Sequence, residues 1–89
     1  MTETSKPALA FPCEFPLKVI GKDEDGFEEM VIVIIQKHVP RLIRSSFTNR
    51  SSREGKYVSV SVTFTADSRE QMDNLYRELT AHPKVLWVI

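Results

Sequence analysis

Tyr57-Val58-Ser59-Val60-Ser61-Val62-Thr63-Phe64-Thr65-Ala66 is the stretch that decides the fold. Val58, Val60, Val62 and Phe64 fall at every second position, and Tyr57, Ser59, Ser61, Thr63 and Thr65 fill the gaps. An extended strand sends alternate side chains to opposite faces, so the segment predicts a strand with one apolar and one small polar face. Its β-branched and aromatic residues suit a pleated surface, and neither Gly nor Pro interrupts the ladder. A central strand is expected, with the rest of the chain built around it.

Working outward, Ser51 to Gly55 is turn material. Before it, Leu42 to Arg50 reads as a weaker strand, with Ile43 and Phe47 as its apolar contributions. The two strands should form an antiparallel hairpin. After the central strand, Asp67 or Ser68 should cap a helix. Met72, Leu75, Tyr76 and Leu79 supply its apolar stripe, and Ala81-His82-Pro83 ends it. Lys84 to Ile89 reads as the last strand, with Val85, Trp87 and Ile89 on one face and Leu86 and Val88 on the other.

Toward the N-terminus, Phe15 to Gly21 predicts the first strand, with Phe15, Leu17 and Val19 on one face and Lys18 and Ile20 on the other. A helix is expected from about Asp25 to His38. Phe27, Val31, Ile34, Ile35 and His38 follow helical spacing, and Met30 widens the stripe. The β-branched run Met30 to Ile35 would by itself suit a buried strand. Glu28 and Glu29 at the start, Lys37 and His38 at the end, and Pro40 beyond are helix-end signals, and they decide for helix. Phe11-Pro12 and Phe15-Pro16 bracket Cys13 and keep that segment extended. Residues 1–10 hold little to bury and read as a disordered tail, which leaves 11–89 as one domain.

The 89 residues bound what this domain can be. A chain this short buries only roughly 60–65% of its unfolded surface, so each core residue matters. Hydrophobic residues make up 42% and charged ones 27%, an ordinary globular balance. The formal net charge is +0, which gives no global attraction to nucleic acid or membrane. The single cysteine, Cys13, has no partner for an internal disulfide, and no Cys/His set has metal-ligand spacing. No apolar run suits a signal peptide or a membrane span. The expectation is a cytoplasmic protein without cofactor.

The order strand, helix, strand, strand, helix, strand, with right-handed crossovers, gives an α+β fold: the ferredoxin-like split βαβ sandwich. Strands one and three lie in the centre of a four-stranded antiparallel sheet, and both helices cover one face. Val58, Val60, Val62 and Phe64 should meet Val31, Ile34, Ile35, Leu75 and Leu79. The other face stays open and carries Lys18, Ile20, Tyr57, Ser59, Ser61 and Thr63.

Phe11-Pro12, Phe15 and Lys18-Val19-Ile20-Gly21 resemble the opening of the YbeD-like family of small bacterial proteins of unknown function. Gly55 to Val62, Leu75-Tyr76-Arg77-Glu78-Leu79 and the hydrophobic ending Val85 to Ile89 continue the resemblance, which covers about Phe11 to Ile89. The resemblance implies a fold similar to ACT domains, which bind small effectors and pair with other domains. It brings no catalytic residues.

Candidate chemistry is sparse. His38 and His82 stand at expected helix C-termini, where a cation suits the dipole, and neither has a carboxylate or nucleophile partner in view. Cys13 lacks an electropositive setting. Asp23, Glu24, Asp25, Glu28 and Glu29 read as a solvated turn running into a helix start rather than a metal site. Arg41, Arg44, Arg50, Arg53 and Lys56 make a basic surface on the second strand and its loop, which suggests an RNA-binding alternative. RNA-recognition domains of this topology stack bases on exposed aromatics, and here Tyr57 is followed only by Ser59, Ser61 and Thr63, which disfavours nucleic acid. Lys18, Ile20, Tyr57, Ser59, Leu86 and Trp87 are the expected contact surface for another protein or a second copy, because the last strand is an edge whose only guard is Lys84. A small effector would sit at its margin, near Gly21 and Asp23.

Overall fold

The computed structural model describes residues 10–52 and 54–89. The expected tail, apart from the exposed Ala10, and Arg53 lie outside the described residues. The elements are β1 (Cys13–Lys22), α1 (Phe27–His38), a 3-10 turn (Arg44–Ser46), β2 (Thr48–Ser51), β3 (Tyr57–Ala66), α2 (Arg69–Ala81) and β4 (Val85–Val88). The strands form one antiparallel sheet in the order β2-β3-β1-β4. This is the ferredoxin-like split βαβ sandwich, with β1 and β3 in the centre.

β1 and β3 pair one to one over ten residues, from Cys13 opposite Ala66 to Lys22 opposite Tyr57. Residues directly opposite share a face, so Leu17 with Val62 and Val19 with Val60 turn toward the helices. There they join Phe27, Val31, Ile32, Ile34 and Ile35 of α1 and Met72, Leu75 and Leu79 of α2 in one buried core. The β-branched run Met30 to Ile35 is helical, with acids in its first turn and Lys37 and His38 in its last. The helix starts at Phe27 rather than Asp25, because Gly26 takes a left-handed φ of 85° that reverses the loop into it. For α2, Ser68 is the cap: its side chain accepts from the Gln71 amide.

β1 is longer than Phe15–Gly21, and it contains Pro16 although it is a central strand. Lys18 donates to and accepts from Ile89 through its backbone, so even-numbered positions of β1 aim their backbone groups at β4. Pro16 lies beyond the last of these bonds, where β4 asks for no donor.

The second strand is shorter than expected. Leu42 and Ile43 are not in it, because Ser46 and Phe47 donate back to the carbonyls of Ile43 and Arg44 and close a 3-10 turn. The turn puts Phe47 into the core and leaves Ile43 62% exposed. Arg41 and Arg44 therefore lie outside the strand. β4 also departs from simple alternation. Trp87 faces Ile20 and Val85 faces Gly21, so Leu86 is an extra residue opposite one step of β1. That bulge turns Val85 toward the core, where regular alternation already places Val88, and Leu86 and Trp87 are left exposed.

Gly21 does not end the first strand. It is buried beneath α1, and a Cβ there would meet the Phe27 ring and come within 2.6 Å of the Lys84 carbonyl oxygen. Gly21→Ala is expected to destabilise the protein by about 1–3 kcal/mol through overpacking. Leu75→Ala removes a fully buried side chain between helix and sheet and should cost about 2–5 kcal/mol. Urea unfolding of both variants is the check; Gly21→Ala at wild-type stability would mean that Phe27 does not close over β1.

Candidate functional site

The open face of the sheet is built in cross-strand rows. Thr48, Ser61, Lys18 and Ile89 form one row, and Arg50, Ser59, Ile20 and Trp87 the next; Lys22 and Tyr57 stand opposite each other beyond them. The rows exist because β1 and β3 keep an unbroken register, so every position that is not in the core points here. Regular alternation from Ile89 and Val88 sets Trp87 on this face, with its ring 6.2 Å from that of Tyr57 at an interplanar angle of 59°, and the bulge at Leu86 turns Val85 away from it. Trp87 is 56% exposed, and Tyr57 and Leu86 are each 40% exposed.

The expected contact surface of Lys18, Ile20, Tyr57, Ser59, Leu86 and Trp87 is thus brought together, with Leu86 at the bulge on its rim. A shallow hollow of 210 Å³ opens among Lys18, Ile20, Arg50, Tyr57 and Ser59. Arg50 belongs to this face by its pairing with Ser59, although the sequence groups it with the basic loop.

That basic group disperses. Arg44 pairs with Glu29, Arg41 with Asp67 at 3.7 Å and Lys56 with Glu54 at 3.5 Å. The Arg44 guanidinium holds the Glu29 carboxyl below the usual carboxylate range. Arg53 lies outside the described residues. The expected effector margin divides as well: Gly21 is covered by Phe27, whereas Asp23 is exposed and accepts from Ser51 Oγ at 3.2 Å. Asp23 lines an open acidic hollow with Glu24, Asp25, Glu28 and Glu29. Among the described residues, no three His, Cys, Asp or Glu side chains are placed to hold a metal ion.

The two histidines do different work. His38 Nε2 lies 2.8 Å from Glu78 Oε1, while Lys37 Nζ reaches Glu78 Oε2 at 2.6 Å. Gln71 of α2 also donates to the His38 carbonyl at 2.9 Å. This cluster ties the end of α1 to α2, a partnership across 40 residues of sequence that local spacing does not reveal. His82 Nδ1 accepts from the Lys84 amide at 3.2 Å and steadies the turn into β4. Cys13 is half-buried against the core. No helix of the described residues is long and apolar enough to cross a membrane.

Residues 6–89 match the family model described as a protein of unknown function (DUF493). A UPF0250 protein of Nitrosomonas europaea is 39% identical over 89 residues, covering 100% of both chains. One of Chromobacterium violaceum is 37% identical, with the same full coverage. Among solved structures, the Helicobacter pylori protein HP0495 is similar with a TM-score of 0.69 at 17% identity, over 94% of this chain and 88% of that one. The ACT domain of a Chlorobium tepidum GTP pyrophosphokinase is similar with a TM-score of 0.62 at 12% identity, over 85% of this chain and 84% of that one. At such identities the likeness is one of fold.

Lys37 first, and then His38, hold the Glu78 carboxyl below its ordinary range. A carboxylate depressed in the folded state contributes stability above its unfolded pKa and loses it as pH falls through the folded one. Wild type should therefore exceed Glu78→Gln in urea stability at about pH 7, and the gap should close toward about pH 3. A gap that stays constant with pH would show that the pairing is not ionic.

Proposed function

The chain belongs to the DUF493 family of proteins of unknown function, the UPF0250 proteins among its relatives, and from that premise we propose a non-catalytic regulatory or protein-interaction module. It works through the open face of its ACT-like sheet, by docking onto another protein or onto a second copy. The observation that carries this reading is the exposed apolar cluster of Trp87, Tyr57 and Leu86, with the half-buried Ile20 beside it, on a face that no helix of the described residues covers. An aromatic cluster of this kind costs solubility and suits a contact surface, where Trp and Tyr often dominate binding. His38 does have a carboxylate partner, Glu78, but that pair ties α1 to α2, while His82 steadies a turn and Cys13 packs against the core, which supports a structural role for each. Three of the five basic residues behind the RNA-binding alternative are ion-paired within the chain, which weighs against that alternative.

Sedimentation over a range of concentrations, alone and with bacterial extract, tests the reading. A mass above the monomer is expected in at least one condition, and Trp87→Ser should abolish it without changing urea stability by more than about 0.5 kcal/mol. A strict monomer that retains no partner, or an association that survives Trp87→Ser, would overturn it.

A further inference from the structure

The cations of this protein are not distributed evenly between paired and unpaired. Lys37, Arg41, Arg44, Lys56, Arg69 and Lys84 each have a carboxylate within 4.0 Å. Lys18, Lys22, Arg50 and Arg77 have none among the described residues; Arg77, on α2, bonds Asn74 instead, and the other three share the open face. Among the described residues Glu14 is the one acidic residue on a strand, and it sits opposite Thr65 at the far end of β1. The other acids of the described residues lie on the helices and the loops. A chain of zero net charge thus presents a cationic sheet face and an acid-rich helix side.

Resting on the proposed interaction role, we infer that the open face receives an acidic segment of a different protein. The segment places a carboxylate in the hollow between Lys18 and Arg50, and an apolar side chain beside Tyr57 and Trp87. Charge complementarity selects this occupant. The hollow is lined by Lys18 and Arg50, by Ile20 and Tyr57, and by Ser59, whose hydroxyl donates to the Arg50 carbonyl at 3.5 Å; two unpaired cations beside apolar side chains suit a carboxylate carried on an apolar stem. A second copy is the wrong occupant. Two copies packed face to face about a two-fold axis set this surface against itself, so Lys18, Lys22 and Arg50 would meet other cations. Single-stranded nucleic acid shares the charge preference, but it needs open ring faces. Tyr57 and Trp87 lie tilted against each other, which shields part of each face, and the neighbouring positions are Ser59 and Ser61.

Trp87 is the only tryptophan in the chain, so its fluorescence reports on this face directly. The test is a titration of the full chain with three probes: a peptide of alternating glutamate and leucine, its lysine counterpart, and oligouridylate. The glutamate peptide is expected to shift Trp87 emission, with an affinity that falls as salt rises. Lys18→Glu combined with Arg50→Glu should weaken it by about tenfold or more, and the fold of that variant is checked by its urea midpoint. Binding of the lysine peptide with equal affinity, or insensitivity to the charge reversal, would overturn the acidic partner while leaving the open face as a contact surface. A response to oligouridylate alone would replace the protein partner with nucleic acid. Silence toward all three probes, together with dimerisation through Trp87, would return the face to a second copy and overturn the inference.

Discussion

The rest of the structure depends on the ten-residue ladder between β1 and β3. Every residue from Cys13 to Lys22 has one partner from Ala66 to Tyr57, without a register break. A slip of one residue would carry Val58, Val60, Val62 and Phe64 from the core to solvent, so burial and register enforce each other. Once that register is set, α1 and α2 have one apolar surface to cover. Everything that remains on the strands is committed to the opposite face. Gly21 belongs to the same constraint, since the ladder brings it under Phe27 where a side chain has no room.

Much of this is legible in the chain. The alternation of Tyr57 to Ala66 names the central strand and its buried face. The acids, bases and proline around Phe27 to His38 decide for helix where the β-branched run alone suggests a strand. What the pattern misses is set by backbone geometry that side-chain type does not encode. The 3-10 turn at Arg44–Ser46 displaces Ile43 from the second strand, and the bulge at Leu86 separates Val85 from Trp87. Each changes the face on which an apolar residue appears. Within α1, Ile32 is buried although it lies off the expected stripe, because the helix sinks between sheet and α2 over a wide arc.

The candidate site was legible in part for the same reason. Lys18, Ile20, Tyr57 and Ser59 follow from alternation on two central strands. The contact between Tyr57 and Trp87 joins β3 to β4 across β1, because β1 pairs with both strands and sets Trp87 opposite Ile20, a partnership that alternation within one strand does not reveal. The basic group read from consecutive sequence does not survive folding, since Arg41 and Arg44 leave the strand and find acids of their own. Arg50 is the member that the β2–β3 register carries to the open face. Charge that cancels along the chain is thereby separated in space, which a net-charge count cannot show.

Trp87 stands exposed in a field of unpaired cations. Collisional quenching of its fluorescence by iodide and by caesium, at matched ionic strength and each normalised to a free tryptophan analogue, reads both properties at once. An exposed indole on a cationic face predicts efficient quenching by iodide and clearly weaker quenching by caesium, with the difference shrinking as salt screens the field. Protection from both ions, or quenching by caesium that equals or exceeds that by iodide, would contradict it.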